Sequence, residues 1–553
     1  MPLVRLTVQR ARAWAARTIA IAMVSALPGF ALAQAPLSAI DWLREDLSRT
    51  RPGGYPVTPP TGDAWLEGMI TTRRIDALRP ESVGLFPAAR AGLPADFWGS
   101  TPEDELTALI ANLPVDTLPA LRDLSFRLLL AEFDAPYSPP ADRTTDRDAD
   151  RDASNAAEDQ RRAHDFLAAR IDKLMDFGAI DQAAALLDTL NPADPDLRMR
   201  RFEMALLLEQ EQRACQSVLD ADAPLPFEPA AVFCLARQGD WSRAAERLEQ
   251  AMDAGTMPEP YDQLLVDFLD VDDHTHSISL PGDAVTIRPS ELSPLAWRLL
   301  EATGEPVATH GLPVAFAHAD LRGTIGWRAQ LEAAERLVRS GALPPNRLLG
   351  LYTERGAAAS GGIWERVRAI QRLDTALSEG ESSEIGRALR EAWPQVTADE
   401  LETAFADLFA PDLMEADLDG EAAEIAITVG LLSDDYEQVA LDQPGTDARG
   451  RFLSAIARGL PPRETGADDD PIRDSRWAAV AEAFANPAPI PEETRRGLSD
   501  DRLGEVILRT LISLESANDP RVLAEGLAVL RHVGLEDIAR RAALQSLLLE
   551  RRG

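Results

Sequence analysis

His274 and His276, set among Asp270, Asp272 and Asp273, have the residue types and spacing best suited to metal chemistry. Imidazoles two apart on an extended segment point to the same side, and flanking carboxylates complete a set suited to zinc or copper. The same run is equally an ordinary solvated acidic loop, and that reading is preferred. No metal centre and no cofactor is expected, and His274, His276, Asp272 and Asp273 stand as the only candidates for one.

Cys215 and Cys234 are the only cysteines. One falls near the end of a predicted helix and the other inside the next, with the Pro-rich turn Asp222–Pro229 between them. Antiparallel neighbours joined by that turn bring two Cα atoms within about 6 Å, the reach of a disulfide. A structural bridge is the expectation in an oxidising compartment, with two buried free thiols as the alternative. The spacing is far from the Cys-x-x-Cys of redox pairs.

Catalytic motifs are missing. The chain has no Gly-rich phosphate loop with lysine, no His-Glu-x-x-His and no Gly-x-Ser-x-Gly. Six histidines and a single lysine, Lys173, leave few general bases. Acidic pairs are too frequent for any two to be singled out. An enzyme is therefore not expected. A peptidoglycan-acting enzyme, or a factor accessory to one, stays as an alternative because cell-wall lytic enzymes can carry helical superhelices.

The compartment is written at the start. Arg5, Arg10, Arg12 and Arg17 precede a short apolar run from Ile19 to Leu27, then Pro28-Gly29 and Ala31-Leu32-Ala33. This is the grammar of a cleaved secretory signal over residues 1–33, an Arg-rich organelle presequence or a retained anchor being the rivals. The run is too short to cross about 30 Å of hydrocarbon. No cysteine follows Ala33 to carry a lipid, and no arginine pair marks the twin-arginine route. A periplasmic protein without an integral membrane segment after cleavage is expected. Removing four arginines and no acid moves the net charge from −35 to −39. Such a chain repels nucleic acid and anionic lipid and favours basic or cationic partners.

The elements that would position any site are mostly helical. Ser38 to Leu47 reads as a short capped helix, and Trp65 to Trp98 as an aromatic, Pro/Gly-interrupted stretch of short strands or extended chain, whose part from Val83 to Trp98 is expected to fold back over the first helical pair, a docking patch being the alternative. Helices are predicted at 103–112 and 117–132, which with the preceding residues make a small N-terminal region, 34–134. Residues 135–160, alternating Asp and Arg after Pro139-Pro140, carry no large apolar side chain and read as a flexible linker. From 161 to 553 the 3.6-residue period dominates, through predicted helices that include 196–220, 229–238, 242–254 and 520–532. Thr397 and Glu400 have capping-box spacing ahead of Leu401 and Phe405. Only 271–288 alternates like a strand, giving a short β-like insert. About two thirds helix is expected.

Gly239, Trp241, Ala244, Leu248 and Ala251 share a pattern with Gly178, Ile180, Ala183, Leu187 and Leu190, and more loosely with Gly534, Ala539 and Ala542. A turn glycine is followed five residues later by a small side chain that lets two helices approach closely. Apolar positions further on seal the seam. The pattern resembles the turn and second helix of a tetratricopeptide repeat (TPR), although Gly178 and Gly239 are 61 residues apart and the first-helix Trp-Leu-Gly-Tyr signature is absent. The resemblance covers about two hairpins. It implies an all-α, TPR-like solenoid of antiparallel helical hairpins that binds peptide or protein in a groove. The expected function is accordingly a non-catalytic periplasmic interaction scaffold of the bacterial cell envelope. A binder of small ligand, glycan or metal is the alternative.

Overall fold

The computed structural model describes residues 79–137, 149–190, 194–220, 224–270, 288, 291–463, 471–486, 488, 490–516 and 519–549. The signal-like residues 1–33, the helix at 38–47, the insert at 271–287, and with it His274, His276, Asp272 and Asp273, lie outside them. The described residues belong to one compact unit, residues 77–553. Among the described residues the protein is all-α, about 70% helical. The sheet among the described residues is a parallel pairing of β1 (Phe86–Pro87) with β2 (Ala131–Glu132).

Three helix starts share a local rule. An acceptor side chain stands one residue before a proline whose missing N–H is not needed in the first turn. Asp194 caps the helix begun by Pro195, Ser293 the one begun by Pro294, and Asp519 the one begun by Pro520.

In chain order, α1 (Glu103–Ala111) and α2 (Pro119–Leu130) precede the long α3 (Ala149–Asp176) and α4 (Ile180–Leu190). The segment read as a linker thus contributes the first turns of α3, because helix propagates from the strongly anchored half that carries Phe166, Leu167, Ile171 and Leu174. Next come α5 (Pro195–Leu207), α6 (Glu211–Val218), α7 (Glu228–Arg237), α8 (Trp241–Asp253), α9 (Tyr261–Asp270), α10 (Pro294–Ala302) and the one-turn α11 (Ala317–Asp320). The central group is α12 (Trp327–Arg339), α13 (Pro345–Glu354), α14 (Ile363–Glu379) and α15 (Ser382–Thr397). It is followed by α16 (Glu402–Glu415), α17 (Gly420–Leu432), α18 (Tyr436–Asp442) and α19 (Ala448–Ala457). The last group is α20 (Ser475–Ala483), α21 (Glu492–Ser499), α22 (Leu503–Ser513), α23 (Pro520–His532) and α24 (Glu536–Leu548).

Two local expectations differ from the structure. The helix predicted over 196–220 is two helices, α5 and α6, broken where Glu209 takes φ +59°. The Thr397/Glu400 capping box does not form. Thr397 is the last residue of α15, Glu400 turns with φ +53°, and Leu401 is the N-cap of α16.

The break at Glu209 exposes a hidden regularity. Left-handed turn residues stand at 178, 209 and 239, spaced by 31 and then 30 residues. Five residues after each comes a buried alanine (Ala183, Ala214, Ala244), and nine after each a buried aliphatic (Leu187, Val218, Leu248). The hairpins α3–α4, α5–α6 and α7–α8 share these positions, an arrangement compatible with a helical repeat, and the middle one is hidden in the sequence because glutamate fills the glycine position.

One apolar core runs from Val83 to Leu549. Nearest-neighbour packing of helices accounts for much of it, but the two ends of the described chain also meet. α24 is largely buried and packs on α2, α17, α19 and α23, and α22 packs on α1. Gln545 Oε1 accepts the Ala120 N–H at 2.8 Å, and the Gly504 N–H donates to the Phe97 carbonyl at 3.0 Å. Phe97 and Trp98 form an aromatic cluster with Phe133 and with Phe166 of α3. The aromatic stretch thus packs on both α3 and α22. Glu105 bridges Arg502 and Arg509, which also flank Glu505. Lys173, nearly buried, donates to the Leu113 carbonyl at 3.0 Å and tethers α3 to the α1–α2 turn.

Candidate functional site

Among the residues singled out by pattern, those of the hairpins do structural work. Gly178 and Gly239 close α3 and α7 with φ of +80° and +85°, a conformation that β-carbon sterics disfavour. Ala183, Ala244 and Ala539 are fully buried, and Leu187 and Leu248 are buried with them. Gly534 turns α23 into α24 in the same way, with φ +89°. Trp241 differs from its neighbours: it is exposed by 37% and rests its ring on Phe268. Cys215 of α6 and Cys234 of α7 are joined by a disulfide, stapling the second hairpin to the third.

The surface best formed for recognition lies on α12–α15, and a buried ionic cluster beneath it fixes its shape. Arg366 of α14 and Glu335 of α12 pair at 2.6 Å, with side chains only 6% and 4% exposed. The Tyr352 hydroxyl of α13 donates to Glu335 at 2.6 Å. Arg366 also bonds Asp399 and, at 3.4 Å, the Gln395 carbonyl, while Arg339 donates to the Asp399 carbonyl. Burial and the adjacent Glu335 carboxylate hold the Tyr352 hydroxyl protonated far above its usual range. Burial alone would lower Arg366, but hydrogen bonding to Glu335 raises it, so the guanidinium stays charged. The four helices are thereby locked in register through groups that satisfy one another.

Above this cluster, α14 presents a polar and aromatic ridge. Trp364, Arg368, Arg372, Thr375 and Glu379 recur at helical spacing on one face. At the start of the ridge, Trp364 and Trp327 pack with centroids 5.2 Å apart and floor a surface pocket of about 550 Å³ rimmed by Arg328, Glu332 and Arg355. The Trp327 indole N–H donates to the Leu351 carbonyl at 3.1 Å. That of Trp364 donates to no described residue. Further along, the ridge becomes one wall of a groove of about 630 Å³, whose other wall is Glu384, Arg387 and Glu391 of α15. Arg372 pairs with Glu391 across it. Charges of both signs alternate there.

In the sequence, Gly356–Gly362 reads as a tight inter-helix turn and Trp364 as a packing anchor. Glu335, Tyr352 and Arg366 do not stand out there. Their only trace in the sequence is a charged residue on the apolar stripe of each of α12 and α14, at positions otherwise held by Ala, Leu and Val. Among the described residues no group of His, Cys, Asp and Glu is arranged to hold a metal ion, and no helix is long and apolar enough to cross a membrane. No family model, curated protein or solved structure matches the chain.

Proposed function

We propose that this protein is a non-catalytic scaffold, exported to the periplasm, that captures another protein on the α12–α15 face. The observation that carries the reading is the joining of a half-buried tryptophan with an unused N–H to a charged, two-walled groove on rigidly clamped helices. Tryptophan and arginine dominate the energetics of protein interfaces, most of all where a polar rim surrounds an aromatic anchor. The tandem hairpins at 178, 209 and 239 support a helical-repeat, TPR-like superhelix as the framework, here pinned where α1 and α2 meet α22 and α24. Export rests on the signal-like grammar of residues 1–33, and the Cys215–Cys234 bridge suits an oxidising compartment. The net charge of −35 favours a partner with a basic segment.

The test is capture from a cell-envelope extract by the protein lacking residues 1–33, compared with its Trp364→Ala and Arg372→Glu variants. A protein retained by the parent and lost from both variants, at unchanged melting temperature, is the expected result. Equal retention by all three would refute the assignment of this face.

A further inference from the structure

The tandem hairpins enclose a second site. Between α4, α5 and α6 lies a cavity of about 350 Å³ lined by both apolar and charged residues. Phe202, Ala205, Val218 and Leu225, each less than one tenth exposed, form the apolar wall. Arg198, Arg201 and Arg213 also line the cavity. Among the described residues many arginines pair with a carboxylate, and these three differ in how they are held. Arg201 pairs with Asp188 at 2.5 Å. Arg198 donates to the Ser217 carbonyl at 2.8 Å and so retains its formal charge without an anion. Arg213 makes no hydrogen bond or ion pair among the described residues. Against three positive groups the lining offers two carboxylates, Asp188 and Asp220. The lining therefore has one positive charge in excess, beside an apolar hollow.

We propose that this cavity binds a monocarboxylate carried on a compact apolar body, with the carboxylate on Arg213 and the apolar part against Phe202 and Leu225. A planar carboxylate matches a guanidinium in two parallel hydrogen bonds. An apolar body displaces water from the Phe202–Leu225 wall, as in most small-molecule sites. A dianion would exceed the charge available, and a neutral molecule would leave Arg213 without a counter-charge. Two sources share this chemistry: a free medium-chain acid, and the C-terminal carboxylate of a peptide ending in an apolar residue. The cavity opens beside the disulfide that fixes α6 to α7, so its walls are set before any ligand arrives.

The experiment titrates the full protein by calorimetry with sodium octanoate, with acetyl-Ala-Leu bearing a free carboxylate, and with the matching octanamide and peptide amide. Saturable binding of at least one acid is expected, with its amide about tenfold weaker or undetectable. Arg213 is exposed, so Arg213→Gln preserves the fold and is expected to weaken the acid about tenfold or more. Ala205→Leu fills the hollow and is expected to abolish binding. Octanoate binding more tightly assigns a free acid, and the peptide acid binding more tightly assigns a chain terminus. Absence of binding by both acids at millimolar concentration, or binding indifferent to Arg213→Gln and to amidation, overturns the proposal.

Discussion

Glu103 makes the stability of this protein depend on pH in an unusual direction. It opens α1, where the helix dipole favours an anion, yet its side chain is 5% exposed and Oε1 has no hydrogen-bond partner. Burial, then the nearby charge of Glu81, and further Asp159 and Asp165 of α3, raise its carboxyl from 4.5 to about 7. Arg162 opposes them and loses. The native state consequently holds a proton that the unfolded chain releases. Stability from this group is complete below pH 4.5 and drains away as pH rises towards 7, after which it is constant. The full shift corresponds to about 3 kcal/mol, and solvent reaching the carboxyl reduces that to roughly 1–2 kcal/mol. Glu103→Gln keeps the shape and removes the ionisation. At pH 8 the variant is expected to be the more stable by that amount, a rise of roughly 1–2 °C in melting midpoint for a unit of this length. At pH 4.5 parent and variant should melt together. Glu203, also raised to about 7 by burial, gives the parent a slope of the same sign, so the difference between parent and variant is the quantity to measure. A difference that is constant from pH 4.5 to 8, or a Gln variant that is less stable at pH 8, would refute the reasoning.

Arg366→Leu leaves Glu335 buried without a counter-charge, and equilibrium denaturation is expected to show a loss of about 3–5 kcal/mol. Adding Glu335→Leu should return part of that loss. Reducing the Cys215–Cys234 bridge, which closes a separation of 19 residues, should lower stability by about 3 kcal/mol through loop entropy. Thermal melts with and without reductant, and of a Cys215→Ser/Cys234→Ser double variant, check this. Gln545→Leu orphans the buried Ala120 N–H and should cost about 1–3 kcal/mol. Hydrogen exchange at that amide should accelerate. Two alanine replacements separate strain from collision. A Cβ at Gly178 would sit 2.6 Å from Val314, whereas at Gly239 nothing lies within 4 Å. Gly239→Ala should cost only the left-handed penalty of about 1–2 kcal/mol, and Gly178→Ala clearly more.

The hairpins at 178 and 239 were legible because their signals are local: a glycine at a left-handed turn and a small residue five later. The copy between them was not, since Glu209 adopts the glycine conformation at a cost that the surrounding packing absorbs. The stretch 149–160 of the expected linker is helical for a related reason. Its composition says that it cannot form a core, and that is compatible with extending a helix whose other half is anchored. The Thr397–Glu400 spacing fits a helix start, but α15 runs through Pro394 to Thr397 and occupies the space a cap would need. The meeting of Ala120 with Gln545, and of Glu105 with Arg502 and Arg509, joins residues about four hundred positions apart, and no local pattern encodes it. The α12–α15 face was half visible. Trp364 and the glycines before it stood out, but the ionic cluster that holds them in place depends on partners from three other helices.

The burial of α24 among α2, α17, α19 and α23 has a temporal consequence. Helices made near the beginning of synthesis keep sticky apolar flanks uncovered until residue 548 or so has been added. Such a polypeptide lacks part of its core packing until the last helix is added. It also needs a guardian against clumping in the interval, and premature termination anywhere before α24 should yield aggregates instead of a shorter working protein.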